Sequence, residues 1–224
     1  MASPITPLGQ CFDPTGEWSI RETCKPHWSQ SGTVVFITMR MKDSIPRDRL
    51  KLWFKQRCDW LRREGVLASN DADWQTAVER LPSNDAIKFH KHFNHVRETT
   101  LDQSLGACPL RDPVNAEIVV DALLKFDRNR YRMGDIIVMP NHIHFLAAFA
   151  DEATLQAQCS SWQRYTARRI NHHTGTTGKL WQPDPFDHLV RSPTQYDYLR
   201  KYIQDNPRKA GLKPGEYLHR IYQP

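Results

Sequence analysis

No two of the five cysteines, Cys11, Cys24, Cys58, Cys108 and Cys159, form a C-x-x-C pair. Their number is odd and their spacings are long, which argues against both a disulfide framework and a cysteine zinc site. No segment reaches the 18 or so apolar residues a membrane span needs, so no membrane association is expected. The opening stretch "MASPITPLGQCFDPTGEW" lacks a basic region followed by an apolar core, so a secretory signal is not expected. These absences point to a reducing compartment, and the expected location is cytoplasmic.

The chain has 224 residues, enough for one sizeable domain or a domain with an insertion. Its net charge of +6 is unevenly placed. Residues 1–120 carry 16 basic and 15 acidic side chains, whereas residues 121–224 carry 15 and 10. An excess of cations in one half fits a polyanionic partner.

Residues 1–30 mix proline, glycine and single aromatics without periodicity and read as a loosely structured arm. "TVVFITMRM" (33–41) is rich in β-branched residues and predicts a strand. Residues 45–65 predict a helix with Leu50, Trp53, Phe54, Trp60 and Leu61 on its apolar side and Gly65 at its end. Residues 71–81 fit a short helix. Residues 87–98 carry His90, His92 and His95, readable as a metal cluster or as surface histidines. Asp112 and Pro113 start a helix over 112–131, as N-cap and first helical residue. Two apolar strands within 131–149 are split by Pro140-Asn141, a helix follows over 151–175, and "FDHLVR" (186–191) reads as a short strand or extended turn. A last helix over 194–206 ends before Pro207.

This order predicts an α+β fold: a ferredoxin-like β-α-β-β-α-β sandwich, its antiparallel sheet covered by helices on one face. An insertion follows strand one, and an extra C-terminal helix carries tyrosines. In domain terms, residues 1–30 form the arm, 31–212 the main domain with its insertion at about 45–100, and 213–224 a tail.

Chemistry concentrates in "NHIHFLAAF", 141–149. Side chains alternate along a strand, so His142 and His144 share one face and could form half of a metal site. A pair of partly buried, hydrogen-bonded histidines is the other reading. The last helix carries Tyr196, Tyr198 and Tyr202, and Tyr202 stands four residues before Asn206, on the same face. Two imidazoles, the Asn206 amide and a phosphate oxygen would suit Mg2+ or Mn2+, and a tyrosine beside such an ion could attack phosphorus. Phosphoesterases with two H-x-[ST] motifs are disfavoured, because residue 144 is histidine. A cupin-like metal enzyme would want more strands and a nearby glutamate.

"MPNHIHFL" (139–146) resembles the histidine–hydrophobic–histidine motif of the HUH single-strand endonucleases. The ordered set "LDQSLGACPLRDPVNAEIVVDALL" (101–124), "YRMGDIIVMPNHIHFLAAF" (131–149), "YTARRIN" (165–171), "KLWQPDPFDHLVR" (179–191) and "YLRKYIQDNPRKAGL" (198–212) more specifically resembles the REP-associated tyrosine transposases. The resemblance covers roughly the C-terminal half to three-fifths of the chain. It implies His142 and His144 as metal ligands, Asn206 as the third ligand and Tyr202 as the nucleophile. It also implies a single-stranded DNA substrate bearing a hairpin from palindromic repeats, a homodimer, and an association with the nucleoid. The family usually has a lysine with a small neighbour before its "TA" pair, where this chain has Trp162, Gln163 and Arg164. Candidate DNA contacts are Arg164, Arg168, Trp181, His188, Arg191, Lys201, Arg208 and Lys209. Trp181 and Phe186 could stack on bases or pack the sheet edge. The alternative function is a domesticated DNA-binding protein of the same fold without transposition.

Overall fold

The computed structural model describes residues 5–22, 26–68 and 72–222. Cys24 lies outside them, as does the side chain of Phe186. The chain divides into two compact units, residues 45–106 and the remainder on either side of it.

The larger unit is built on a five-stranded antiparallel sheet. Its strands are β3 (Val34–Arg40), β4 (Tyr131–Met139), β5 (His142–Phe149), β6 (Phe186–Leu189) and β7 (Leu218–Arg220), in the order β6-β3-β5-β4-β7. β1 (Ser19–Glu22) and β2 (Pro26–Ser29) form a separate hairpin. The β4–β5 turn is the dipeptide Pro140-Asn141, with Met139 paired to His142. Pro140 sits where no ladder N–H is required.

Helices cover both faces of this sheet, not the single face expected. Helix α4 (Pro113–Leu124) and helix α5 (Glu152–Thr174) supply Val119, Val120, Leu123, Trp162 and Ile170 to one face, against Ile37, Ile136, Ile143 and Phe145. Helix α6 (Pro193–Lys209) covers the other, placing Tyr196, Leu199 and Ile203 near Phe36, Ile137, Met139 and Leu146. β5 is buried at every position because both its faces are covered, so its sequence is a continuous apolar run with histidines as the exceptions. The starts of α4, α5 and α6 are capped by Asp112, Asp151 and Ser192, whose side chains accept from Val114, Thr154 and Gln195 N–H groups.

Three expectations need correction. The described residues of the segment 1–30 are not a loose arm: Leu8 and Cys11 are fully buried in the α6-side core, and Gln10 exchanges backbone hydrogen bonds with Gly32 and Val34. Helix α6 does not stop before Pro207 but runs to Lys209: Pro207 has no N–H to donate, yet the last turn stays closed, Ala210 N–H donating to the Asn206 carbonyl. The presumed tail carries β7, which pairs with β4, and the Tyr222 N–H behind it donates to the buried Asp135 carboxylate.

The smaller unit holds α1 (Arg47–Arg63), α2 (Trp74–Glu79) and α3 (Ser83–Asp102). Cys58, Leu61, Val78, Phe89 and Phe93 form its main core, with Ile45, Trp53 and Leu101 as a second cluster. Leu50 and Phe54, expected inside, are exposed. His90, His92 and His95 are exposed on α3. Among the described residues no group of three or more His, Cys, Asp or Glu side chains is placed to hold a metal ion.

Candidate functional site

Strand alternation puts Phe36 and Thr38 of β3, His142 and His144 of β5, and His188 of β6 on the sheet face that α6 covers. Thr38 lies opposite His144 in register, Arg40 opposite His142, and Phe36 opposite His188. The two imidazoles are fully buried, with ring centroids 4.7 Å apart at 74°.

Each ring is held through Nδ1. Asn141 Oδ1 lies 2.7 Å from His142 Nδ1, and Thr38 Oγ1 lies 2.8 Å from His144 Nδ1. An amide oxygen only accepts, so His142 must carry its proton on Nδ1 and present a lone pair at Nε2. That Nε2 is buried and has no hydrogen-bond partner among the described residues. Burial, and then the neighbouring His144, hold the His142 imidazole well below its ordinary pKa, so it is neutral.

Helix α6 brings the tyrosines. Tyr202 stands edge-on to His144, centroids 5.3 Å apart, and to Phe36 at 5.9 Å. The Lys209 ammonium lies 4.8 Å from the Tyr202 ring centroid. Tyr198 is 64% exposed and points away from the core. Tyr196 is buried, and its phenol is pushed up to about 12, chiefly by that burial. Asn206, one turn beyond Tyr202, is 1% exposed, and neither side-chain amide atom has a partner among the described residues. An orphaned buried amide is costly, roughly 1–3 kcal/mol, so an ordered water or a bound ion would satisfy it.

The remaining candidates divide. His188 joins the site face, its ring 5.3 Å from Phe36, itself 5.3 Å from His144. Lys201 and Arg208 are exposed and near Asp205, each at 3.8 Å, and Arg191 is exposed just after β6. Arg164 and Arg168 are exposed on α5, which packs on the opposite face of the sheet, so the structure does not bring them to the histidines. Trp181 is also removed from the site. It is buried in the core of that opposite face, its indole N–H donating to Thr166 Oγ1 at 2.8 Å, and has no surface on which a base could stack.

Sequence reasoning missed Thr38, Phe36 and Arg40. Their two-residue spacing in "FITMR" was the available signal, but using it required the β3–β5 register.

The fold and the site define an α+β protein with a buried histidine pair and a tyrosine-bearing helix on one face of an antiparallel sheet. No family model matches the chain, and no curated protein matches it. Among solved structures, one described as the REP associates tyrosine transposase bound to a REP hairpin is similar at 18% identity, with a TM-score of 0.40, covering 84% of this chain and 73% of that one. Among the described residues, no helix is long and apolar enough to cross a membrane.

Proposed function

We propose that the protein is a metal-dependent endonuclease and strand transferase acting on single-stranded DNA that carries a hairpin. In this reading Tyr202 is the nucleophile, and His142, His144 and Asn206 hold one Mg2+ or Mn2+ ion. The single observation that carries it is the buried, unpartnered lone pair at His142 Nε2, fixed by Asn141, on the sheet face where Tyr202 packs against His144. The sheet order, read with α4 and α5 as the two crossover helices, supports a ferredoxin-like β-α-β-β-α-β scaffold extended by β7.

The donor set fits a divalent ion: two imidazoles, that of His142 neutral, and an amide oxygen, with Nδ1 of both rings held by neighbours. The ion, when bound, neutralises phosphate charge and polarises the P–O bond. Phenol, with an ordinary pKa near 10, is a weak nucleophile at neutral pH. Tyr202 is held against His144 and Phe36, with the Lys209 ammonium 4.8 Å from its ring centroid, and its phenol gives up its proton as it attacks. The Tyr202 oxygen bonds to phosphorus as the bond to the departing deoxyribose oxygen breaks and that oxygen takes up a proton. One phosphoester bond replaces another, so the chain can pass the DNA end to a second strand without an external energy source. His188, Arg191, Lys201, Arg208 and Lys209 are the proposed DNA contacts, and a homodimer is the proposed assembly.

The test is cleavage of a labelled hairpin-bearing single strand. Activity should require added Mg2+ or Mn2+ and vanish in the His142→Ala, His144→Ala double variant. Undiminished cleavage by that variant would overturn the metal site. The alternative, a DNA-binding protein without strand transfer, predicts hairpin binding with no cleavage by the wild type.

A further inference from the structure

At the other end of β5 lies an open groove of about 500 Å3, lined by residues 5–6, 8–10, 31–32, 128–132 and 148–150. Arg128, Arg130 and Arg132 line it, and among the described residues no acidic side chain does. Arg128 adopts φ +62°, a left-handed conformation that Gly or Asn would hold more easily. The turn around it is locked. Arg128 N–H donates to Tyr131 O at 2.7 Å, Met133 N–H donates to Asp127 Oδ1 at 2.8 Å, and the Tyr131 hydroxyl donates to Leu123 O at 2.8 Å. The locked turn thus holds Arg128 at the groove, where no carboxylate among the described residues lines the wall beside it.

The cations do not converge on one point. Arg130 lies over the Phe126 ring at 4.0 Å, while Arg132 donates to Pro7 O at 3.1 Å and to the Tyr222 hydroxyl at 3.3 Å. Cations anchored on different partners match successive negative charges better than a single small anion.

We infer that this groove is a second phosphate track, binding the sugar–phosphate backbone of the DNA at the end of the sheet remote from His142 and His144. The identity of the polyanion rests on the proposed function; the groove itself does not. From His142 to Phe149 the strand rises roughly 24 Å. At ~3.4 Å per phosphate along one strand of a duplex, that is about seven phosphates between the two sites. The groove therefore holds DNA flanking the processed position and contributes affinity, not chemistry.

The test uses the full chain and fluorescence anisotropy of labelled DNA hairpins carrying flanks of about four or about twelve nucleotides, over a range of salt concentrations. Arg128→Gln with Arg130→Gln should weaken binding of the long-flank DNA. The slope of log affinity against log salt should become shallower by about 0.7–0.9 per lost phosphate contact. Short-flank DNA should bind the variant and the wild type alike, and covalent adduct yield at saturating protein should not change. Arg128→Gly separates binding from folding: it relieves the left-handed strain, so its melting temperature should match or exceed the wild type while long-flank affinity falls. Unchanged affinity and slope in both variants would overturn the inference, as would equal losses on short and long flanks. Millimolar inorganic phosphate abolishing the difference between variant and wild type would also overturn it, by showing a small-anion site. If the wild type yields no adduct but the salt slope still shifts, strand transfer fails while the phosphate track stands.

Discussion

The Tyr202 ring stands edge-on to the His144 imidazole, ring centroids 5.3 Å apart, and Thr38 holds that imidazole through Nδ1 at 2.8 Å. A helix, a central strand and a neighbouring strand thus meet at one ring. If His144 is a ligand, Thr38 acts on the metal through it. Thr38→Val keeps the shape but removes the hydroxyl, and should lower Mn2+ affinity about 10–100-fold, in the range seen for groups that orient metal-binding histidines. Thr38→Ser should restore most of it. Isothermal titration calorimetry reads both, and a Thr38→Val protein that binds Mn2+ like the wild type would remove Thr38 from the site.

Gly134 marks the irregularity in β4, where the register with β5 shifts between Met133 and Ile136. A Cβ there would lie 2.8 Å from Leu8 Cδ2 and 3.0 Å from the backbone oxygen of Leu146. Leu8 has a flexible end, but the strand backbone cannot retreat. Gly134→Ala should destabilise the fold by about 1–3 kcal/mol, as overpacking does. The urea midpoint checks it, and an unchanged midpoint would show that the N-terminal segment is looser than its burial implies.

His27 supplies the clearest pH dependence. Its Nδ1 meets Asp187 at 2.8 Å and its Nε2 meets Asp184 at 3.1 Å. The Asp187 hydrogen bond raises its pKa, outweighing burial and the nearby Arg21 charge, which lower it. Because the folded-state value is raised, the stabilisation is fully present below the unfolded value of about 6.5. It is lost as pH rises through the higher folded value. His27→Gln should therefore lower the melting temperature markedly at about pH 5.5 and much less at alkaline pH. A gap that widens with pH would reverse the assignment.

How much of this was legible in the sequence varied by element. β3, β4 and β5 were visible because apolar runs bounded by turn residues have few other readings, and α4 and α5 because Asp112 and Asp151 mark their starts. β7 was not: Leu218–Arg220 has no apolar run and owes its place to pairing with β4. α3 was missed because its charged and histidine-rich surface hides the stripe of Phe89 and Phe93 that packs inward. At the site, His142, His144, Tyr202 and Asn206 could be named from spacing and resemblance. Trp181 could not be placed, since burial against Thr166 depends on α5 lying beside it. Leu8 and Cys11 were unreadable for the same reason: isolated apolar residues carry no period, and only tertiary contact buries them.

The most direct measurement is the identity of the residue joined to DNA. Wild-type protein incubated with a hairpin-bearing single strand and Mn2+ should form a covalent adduct, and peptide mapping should place the nucleotide on Tyr202. Tyr202→Phe removes one oxygen, keeps the ring against His144 and Phe36, and should retain DNA binding while abolishing the adduct. Tyr198→Phe should retain the adduct, because that side chain is 64% exposed and stands away from the histidines. A nucleotide on Tyr198, an adduct surviving Tyr202→Phe, or cleavage with no adduct at all would contradict the account, the last by pointing to water as the nucleophile.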